Sequence, residues 1–585
     1  MRNLTRQERR LREAFLEGRR LVLGAENAEH GASWGPERVI RAEVIRDLLT
    51  GTPAAHDGGV PAVRLAGARV TGRLDLRFAT VVHPLSLRSC YFDSKLDLHG
   101  VRCREIDLTG SHLPGGLRLS TAEIDGHLLL EETRIDRSVR MIAAHVAGAL
   151  FMNGARLRGG RSRSTAPAFE ADMLRLDADM LCKNGFQAHG EVRLPGATIG
   201  DTIHFDDARL GNGDDCALNL ARVTVGGDLL GQGTFDAKGE VNLEGAEVQG
   251  RLCLEGARIR RRGDHALAAD RLVVRGELRL ARLRTEGGIR LLNAQVSGPV
   301  NLDTADIRNP GGVAVHASGI TADGMYCRMG FTTEGEIRLS GARITGPLDF
   351  RGAILDDGGG LSLGCWYVTA RELILLLARP VNGRVDLRYA ELGLFNYSPE
   401  ALPAELRLDG LAYNAIAPAG NVRNGLGLLA LEPSGFRPQP YEQLARTYRA
   451  MGHDAFAREV LLAKERRRRS GLPRPARLWG HLQDAVIGYG YKPVRAAAWL
   501  AALVIVGTVL FQASPPRAVD PNRAPAFSAF VYTIDLMVPI IDFGQRKAYL
   551  SPNGWQQAVT YCLVALGWIL ATTIAAGLTR ALRRQ

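Results

Sequence analysis

Apolar-polar-apolar triplets punctuate the chain at a nearly fixed interval. Triplets starting at Leu74, Leu85, Leu96, Ile106, Leu117, Leu128 and Val139 recur at every eleventh position, with a single interval of ten. The pattern resumes at Val192, Ile203, Leu218, Val241, Leu252, Leu278, Ile289, Val300, Ile337, Leu348, Leu361 and Val385. Its fullest unit reads GAxIxGxLxL, from Gly341 to Phe350. Alternation within a triplet makes a short strand with two side chains inward and one outward. Self-similarity at a fixed period means a solenoid. Eleven residues cannot hold a helix-containing repeat, but they suit half a coil of a parallel β-helix. Two units then form a coil of about 22 residues, with coils stacked about 4.8 Å apart. A β-sandwich of regular strands would not hold its spacing so constant. In this register the outward residues Asp75, Asp97, Arg118 and Arg140 stack in one column.

These units resemble the A-x-[LI]-x-x repeats of pentapeptide-repeat proteins, whose right-handed parallel β-helices bury Leu and small residues. The resemblance covers roughly 61–410; the five-residue phase drifts, and an insertion interrupts it around Arg161 to Thr165. It implies a mainly β fold with a binding or scaffolding role.

Solenoid ends need caps. A helix is expected from Arg6 to Leu23. A second follows Pro36, with Ile40, Val44 and Leu48 at helical spacing and Gly51 past its end. Residues 1–60 are therefore read as an N-terminal helical cap, 61–410 as the solenoid and 411–439 as a linker. Residues 440–470 then carry Leu444, Ala445, Tyr448, Gly452 and Ala457 at the spacing of one tetratricopeptide unit. A single unit implies a helical hairpin rather than a peptide-binding array.

Residues 471–585 are read as a membrane module. Ala496–Phe511 and Ala558–Leu578 are uncharged apolar runs, which places two transmembrane helices at about 494–513 and 557–579. Charge supports this placement. Of the net +12, residues 464–585 hold 16 Lys and Arg against 5 Asp and Glu, or +11. That excess flanks the apolar runs, with Arg466, Arg467, Arg468 and Arg469 before the first and Arg580, Arg583 and Arg584 after the second. The positive-inside rule then puts both termini in the cytoplasm of a two-pass protein. A nucleic-acid partner is not expected, because the rest of the chain is nearly neutral. Gly567, Ala571 and Ala575 form a small-xxx-small line suited to helix packing and to a homo-oligomer.

Between the two runs, Phe527 to Gln545 reads FSAFVYTIDLMVPIIDFGQ. It is too interrupted to span as a helix and too apolar for an ordinary loop. Helix, re-entrant segment, helix resembles the pore module of two-transmembrane cation channels. Tyr532, Thr533, Asp535, Pro539, Asp542 and Gly544 are then the candidate pore residues, with the aspartates as acidic rings. No TVGYG-like filter is present. That favours an amphipathic helix on the outer leaflet, with both aspartates in water.

Catalytic signals are sparse. The eight cysteines show no CxxC pair and suit reduced cytosolic thiols. Gly425 to Ala430 matches GxGxxA, but Pro433 leaves no room for the helix a dinucleotide site needs. No catalytic residue, metal or cofactor is expected. The combination of cap, solenoid, YxxLAxxYRxxG hairpin and membrane helices resembles bacterial plasma-membrane proteins often labelled membrane-associated oxidoreductases. That resemblance rests on Tyr532 to Asp535, Val538 to Ile540, Gly544 and Gly567-Trp568, none of which supplies redox chemistry. The expected function is a membrane-anchored scaffold with the lipid bilayer and a protein as partners. An oligomeric channel and an oxidoreductase are the alternatives.

Overall fold

The computed structural model describes residues 4–24, 27–51, 60–159, 166–433, 435–470, 473, 493–521, 524–538 and 542–582. The chain divides into two compact units: Met1–Pro418 with Ala430–Pro433, and Ala419–Leu429 with Ser434–Gln585.

The first unit is a parallel β-solenoid of about 15 turns. One coil consists of the short strands Glu123–Ile124, Leu128–Leu129, Arg134–Ile135 and Val139–Arg140. Each pairs in parallel with its counterpart one coil later, as Ile124 does with Val146, Leu128 with Leu150, Ile135 with Leu157 and Val139 with Phe169. The coil is therefore four-sided, and successive triplets occupy alternate columns. Ile106 pairs with Leu128, two triplets on, and Leu117 likewise pairs with Val139.

The physical reason for the period lies in the corners. At the fifth position of each unit, counted from the start of its triplet, the chain enters the left-handed region. Phe78, Thr121, Glu132 and Ala143 adopt φ of 57°, 56°, 52° and 51°, and Gly100 and Gly110 take the same role at 64° and 69°. Glycine adopts this conformation freely, while other residues pay for it in strain. The next residue turns inward; it is small at Ala122, Ala144 and Ala155 and large at Leu174, Phe186 and Leu272. Its N–H donates to the third triplet residue, with Ala122 reaching Leu119 O at 3.0 Å and Ala144 reaching Met141 O at 3.1 Å.

The outward column forms as expected. Asp75, Asp97, Arg118, Arg140, Glu170 and Arg193 stand on successive rungs. Asp97 is buried, and its carboxylate is met by Arg73 Nη2 at 2.7 Å. Neighbours of opposite charge, Asp97 with Arg118, Arg140 with Glu170 and Glu170 with Arg193, are favourable, whereas Asp75 with Asp97 and Arg118 with Arg140 are like-charged pairs.

From Arg209 onward the coils lengthen alternately. Strands Arg209–Asn219, Arg258–Ala268, Asp306–His316 and Ile354–Gly364 each carry an excursion, while the strands between them are shorter. One short strand separates each long one from the next, as Asp236–Asn242 separates the first two, so the unit here is a double coil. The triplet expected at Leu361 is displaced for this reason: Leu363, not Leu361, pairs with Val385. The rungs beginning at Met180, Leu229, Leu267, Val315 and Met325 do not stand out as triplets in the sequence. Their inner third positions are Cys182, Gly231, Ala269, Ala317 and Cys327.

The N-terminal cap is only partly helical. Helix α1 covers Arg6–Leu16 and helix α2 covers Ala42–Thr50. Leu21–Val22 and Val39–Arg41 are instead strands paired with Leu65–Ala66 and Arg69–Thr71. Ile40 is thus an inward rung residue, because the first coil offers an open edge that the cap must fill. Beyond the solenoid, the expected linker is structured. Ala412–Ala417 forms the last rung of its column, and helix α3 covers Val422–Ala430. Leu431 O and Glu432 Oε2 accept the N–H groups of Leu406 and Leu408 at 3.0 and 2.8 Å, which closes the far edge.

In the second unit, helices α4 (Pro438–Ala450) and α5 (Asp454–Ser470) form the hairpin, with Gly452 at φ 82° in the turn. Leu444, Ala445, Tyr448 and Ala457 are fully buried. Gly425 lies inside α3, where a Cβ would meet Tyr448 Oη at 2.7 Å. The GxGxxA match therefore reflects helix packing.

Candidate functional site

Helices α6 (Pro493–Ala513), α7 (Ala529–Met537) and α9 (Gly554–Leu582) form the last part of the chain, with the single turn α8 (Gln545–Ala548) before α9. Among the described residues, one helix is long and apolar enough to cross a membrane: Arg495–Ala513 of α6. The second span expected at about 557–579 is not supported. The first turns of α9 carry Gln556, Gln557, Thr560 and Tyr561, and its side chains after Ala575, that of Arg580 included, lie outside the described residues, as do Arg583 and Arg584.

The segment between these helices is built round Tyr532. Its ring meets Phe511 of α6 edge-on at 5.0 Å and packs with Phe527 and Tyr549. Ala529, Leu536, Met537 and Leu563 complete the cluster. Glycine makes the close approach of α7 to both long helices possible. A Cβ on Gly507 would meet Thr533 Cγ2 at 2.5 Å, and one on Gly567 would meet Met537 O at 2.5 Å. Gly567 is thus part of a packing face, as its spacing suggests, yet its partner is α7 of the same chain. Ala571 is half-buried and Ala575 exposed.

The two aspartates separate in role. Asp535 is 3 % exposed, and both of its oxygens accept backbone N–H groups: Oδ1 from Phe543 at 2.9 Å and Oδ2 from Arg546 at 2.7 Å. Neither the acidic ring nor the aspartate in water holds for this residue. A short helix wedged between two others satisfies its buried carboxylate internally, as a water-poor site requires. Asp542 is exposed, accepts from Gly544 N at 2.8 Å and pairs with Lys547 Nζ at 2.6 Å. Lys547 holds its carboxyl below the ordinary range. Gly544 adopts φ 77°, and Thr533 donates to Ala529 O at 2.8 Å. Pro539 lies outside the described residues.

Polar staples close this module, and no motif in the sequence singles them out. Gln545 accepts from Ser528 N and donates to Ala526 O at 2.9 Å, while Gln556 donates to Ser514 Oγ at 2.7 Å. Arg517–Ala518 and Tyr549–Leu550 pair antiparallel across the loop. A glutamine within an apolar stretch is the signal that could mark them.

Of the arginine cluster expected beside a membrane, Arg466, Arg467 and Arg468 are exposed and Arg469 is half-buried at the end of α5. Arg468 lies 3.8 Å from Glu465. The described cysteines are free thiols. Burial pushes Cys90 and Cys103 up to about 12, which makes them poor nucleophiles.

No protein-family model matches the chain, and neither a curated protein nor a solved structure matches it.

Proposed function

We propose that this chain is a membrane-anchored scaffold whose solenoid presents long ladders of charged side chains to a protein partner. The observation that carries this reading is the pairing of about 15 turns of rigid, outward-charged β-solenoid with a helix apolar enough to span a membrane. Repeat solenoids serve as extended binding surfaces because each coil adds contact area without a new core. The basic excess beside the apolar helix orients the solenoid toward the cytoplasm. Photo-crosslinking side chains placed at Arg140, Arg193 and Arg290 in the full chain test this in native membranes. A single discrete adduct from these rungs of one column, in a carbonate-resistant membrane fraction, is the expected result. Carbonate extraction of the intact protein, or no adduct from any rung, overturns the reading.

A second reading, an oligomeric channel, is favoured by the seating of α7 between α6 and α9. In it α9 is a second span and Asp542 faces the ion path, while Asp535 only holds the loop. Cation flux through liposomes carrying the full chain, reduced by Asp542→Asn, is expected. A strictly monomeric particle without flux rules it out.

A further inference from the structure

We propose that the solenoid carries an anion site of its own, a cleft around Arg258 and Arg284 that takes a phosphate-type oxyanion. The two residues are direct partners on consecutive rungs, in the column that runs Arg209, Asp236, Arg258, Arg284, Asp306. Parallel rungs stand about 4.8 Å apart, so two exposed guanidinium groups leave the surface side by side. Like charges directly opposed in a ladder are unfavourable.

The acidic neighbours that could relieve this pair are already engaged. Asp236, one rung before, is held by Arg260 at 2.6 Å, and Asp306, one rung after, by Arg308 at 2.8 Å. Among the described residues no carboxylate lies within ion-pair distance of Arg258 or Arg284. Arginines nearby on the same coils are satisfied: Arg271 by Glu244, Arg279 by Glu277 and Arg290 by Asp270.

The same two side chains line a cleft of about 490 Å³ together with Arg282, Gln232 and Glu255. Glu255 brings a negative charge, but Arg282 and Arg279 hold it. The cleft therefore offers two unengaged guanidinium forks and a neutral amide. A carboxylate is matched by one fork. A tetrahedral oxyanion has enough outer oxygens to take forks from both arginines and a donor from Gln232. This assignment does not depend on the scaffold reading, since the site would bind a small phosphorylated ligand with no protein partner present.

Titration of the detergent-purified full chain with inorganic pyrophosphate, followed by calorimetry, tests the site. Saturable binding is expected, at least tenfold weaker in each of Arg258→Gln and Arg284→Gln. Arg275→Gln, an exposed arginine of another column, should leave it unchanged. Tricarballylate, the carboxylate probe, should bind at least tenfold more weakly than pyrophosphate. Unchanged unfolding midpoints show that the variants are folded. The proposal falls if binding is not saturable, survives in the double variant, drops equally in Arg275→Gln, or is matched by tricarballylate.

Discussion

Asp535 and Asp542 lie seven positions apart in sequence, yet burial gives them different work. The carboxylate of Asp535 is the acceptor for two backbone N–H groups, so Asp535→Ala leaves the N–H groups of Phe543 and Arg546 without their acceptor. Hydrogen bonds to charged groups contribute about 1.5–3 kcal/mol each, and a loss of about 2–4 kcal/mol, below the sum of two because the donor residues Phe543 and Arg546 are exposed, is expected for the unit built from α6 to α9. Protease cleavage between Phe543 and Ala548 in the detergent-purified chain, faster in the variant, reads this directly. Asp542→Asn removes only an exposed ion pair and should leave the same cleavage rate unchanged. A buried carboxylate also links the cap to pH. Glu8 accepts from Arg41 Nε and Nη2 at 2.8 and 2.7 Å and from Thr5 N at 2.8 Å. The Arg41 guanidinium, with the backbone N–H groups of Thr5 and Arg41, lowers Glu8 to about 2. A group whose folded pKa is depressed stabilises the fold above its unfolded value and loses that contribution as pH falls through the folded one. A shift of this size is worth about 3 kcal/mol when fully realised, and the exposure of Arg41 reduces it to about 1–2 kcal/mol. The difference in unfolding midpoint between wild type and Glu8→Gln should therefore be largest near neutral pH. It should shrink between about pH 4.5 and about pH 2; a difference that stays constant over that range contradicts the linkage.

At the scale of one element, the corner is what makes a coil close. Gly341 adopts φ 70°, and a Cβ there would meet nothing within 4 Å. Gly341→Ala thus isolates the backbone cost of the left-handed corner, about 1–2 kcal/mol, with no clash added. Gly567→Ala differs in kind, because Met537 O stands at 2.5 Å and the end of α7 must move. Thermal unfolding should show a modest loss for the first. The second should change the fluorescence of the Tyr532 cluster. The same corners explain what sequence reading can and cannot reach. Large Leu, Ile and Val at the inward triplet positions make the period visible. It fades where Cys182, Ala269, Ala317 and Cys327 take the inner place, because small side chains carry little hydrophobic contrast. Corner residues such as Phe78, Glu132 and Tyr367 hide the turns, since a non-glycine in the left-handed region leaves no signature in composition. Ile40 reads as helical because its spacing to Val44 and Leu48 fits a helix. The open edge of the first coil overrides that local preference. Among the C-terminal helices the apolar run of α6 is legible from hydropathy alone. The burial of Asp535 is not, since it depends on which backbone donors the loop brings back to it.

For the whole molecule, a solenoid is stabilised mostly by contacts between neighbouring coils, so its length is adjustable only in whole structural units. The unit in the later part of the chain is the double coil: Asp306 pairs with Thr332 and Thr332 with Ile354, so two coils carry the chain from Asp306 to Ile354. Deleting 306–353 would bring Ile354 into the place of Asp306, with every column retaining its inward and outward alternation. The shortened chain should fold cooperatively, keep its parallel β signature by circular dichroism and lose only the area of the removed coils. Deleting 117–127, half a coil, is far smaller in mass but shifts all later columns by two sides. Leu128 would then follow Gly116 directly and be required on the column opposite its own, so strands would no longer face their partners across the gap. That variant should aggregate or unfold at far lower denaturant than the longer deletion. If the two deletions prove equally stable, coil register does not set the columns or the charge ladders.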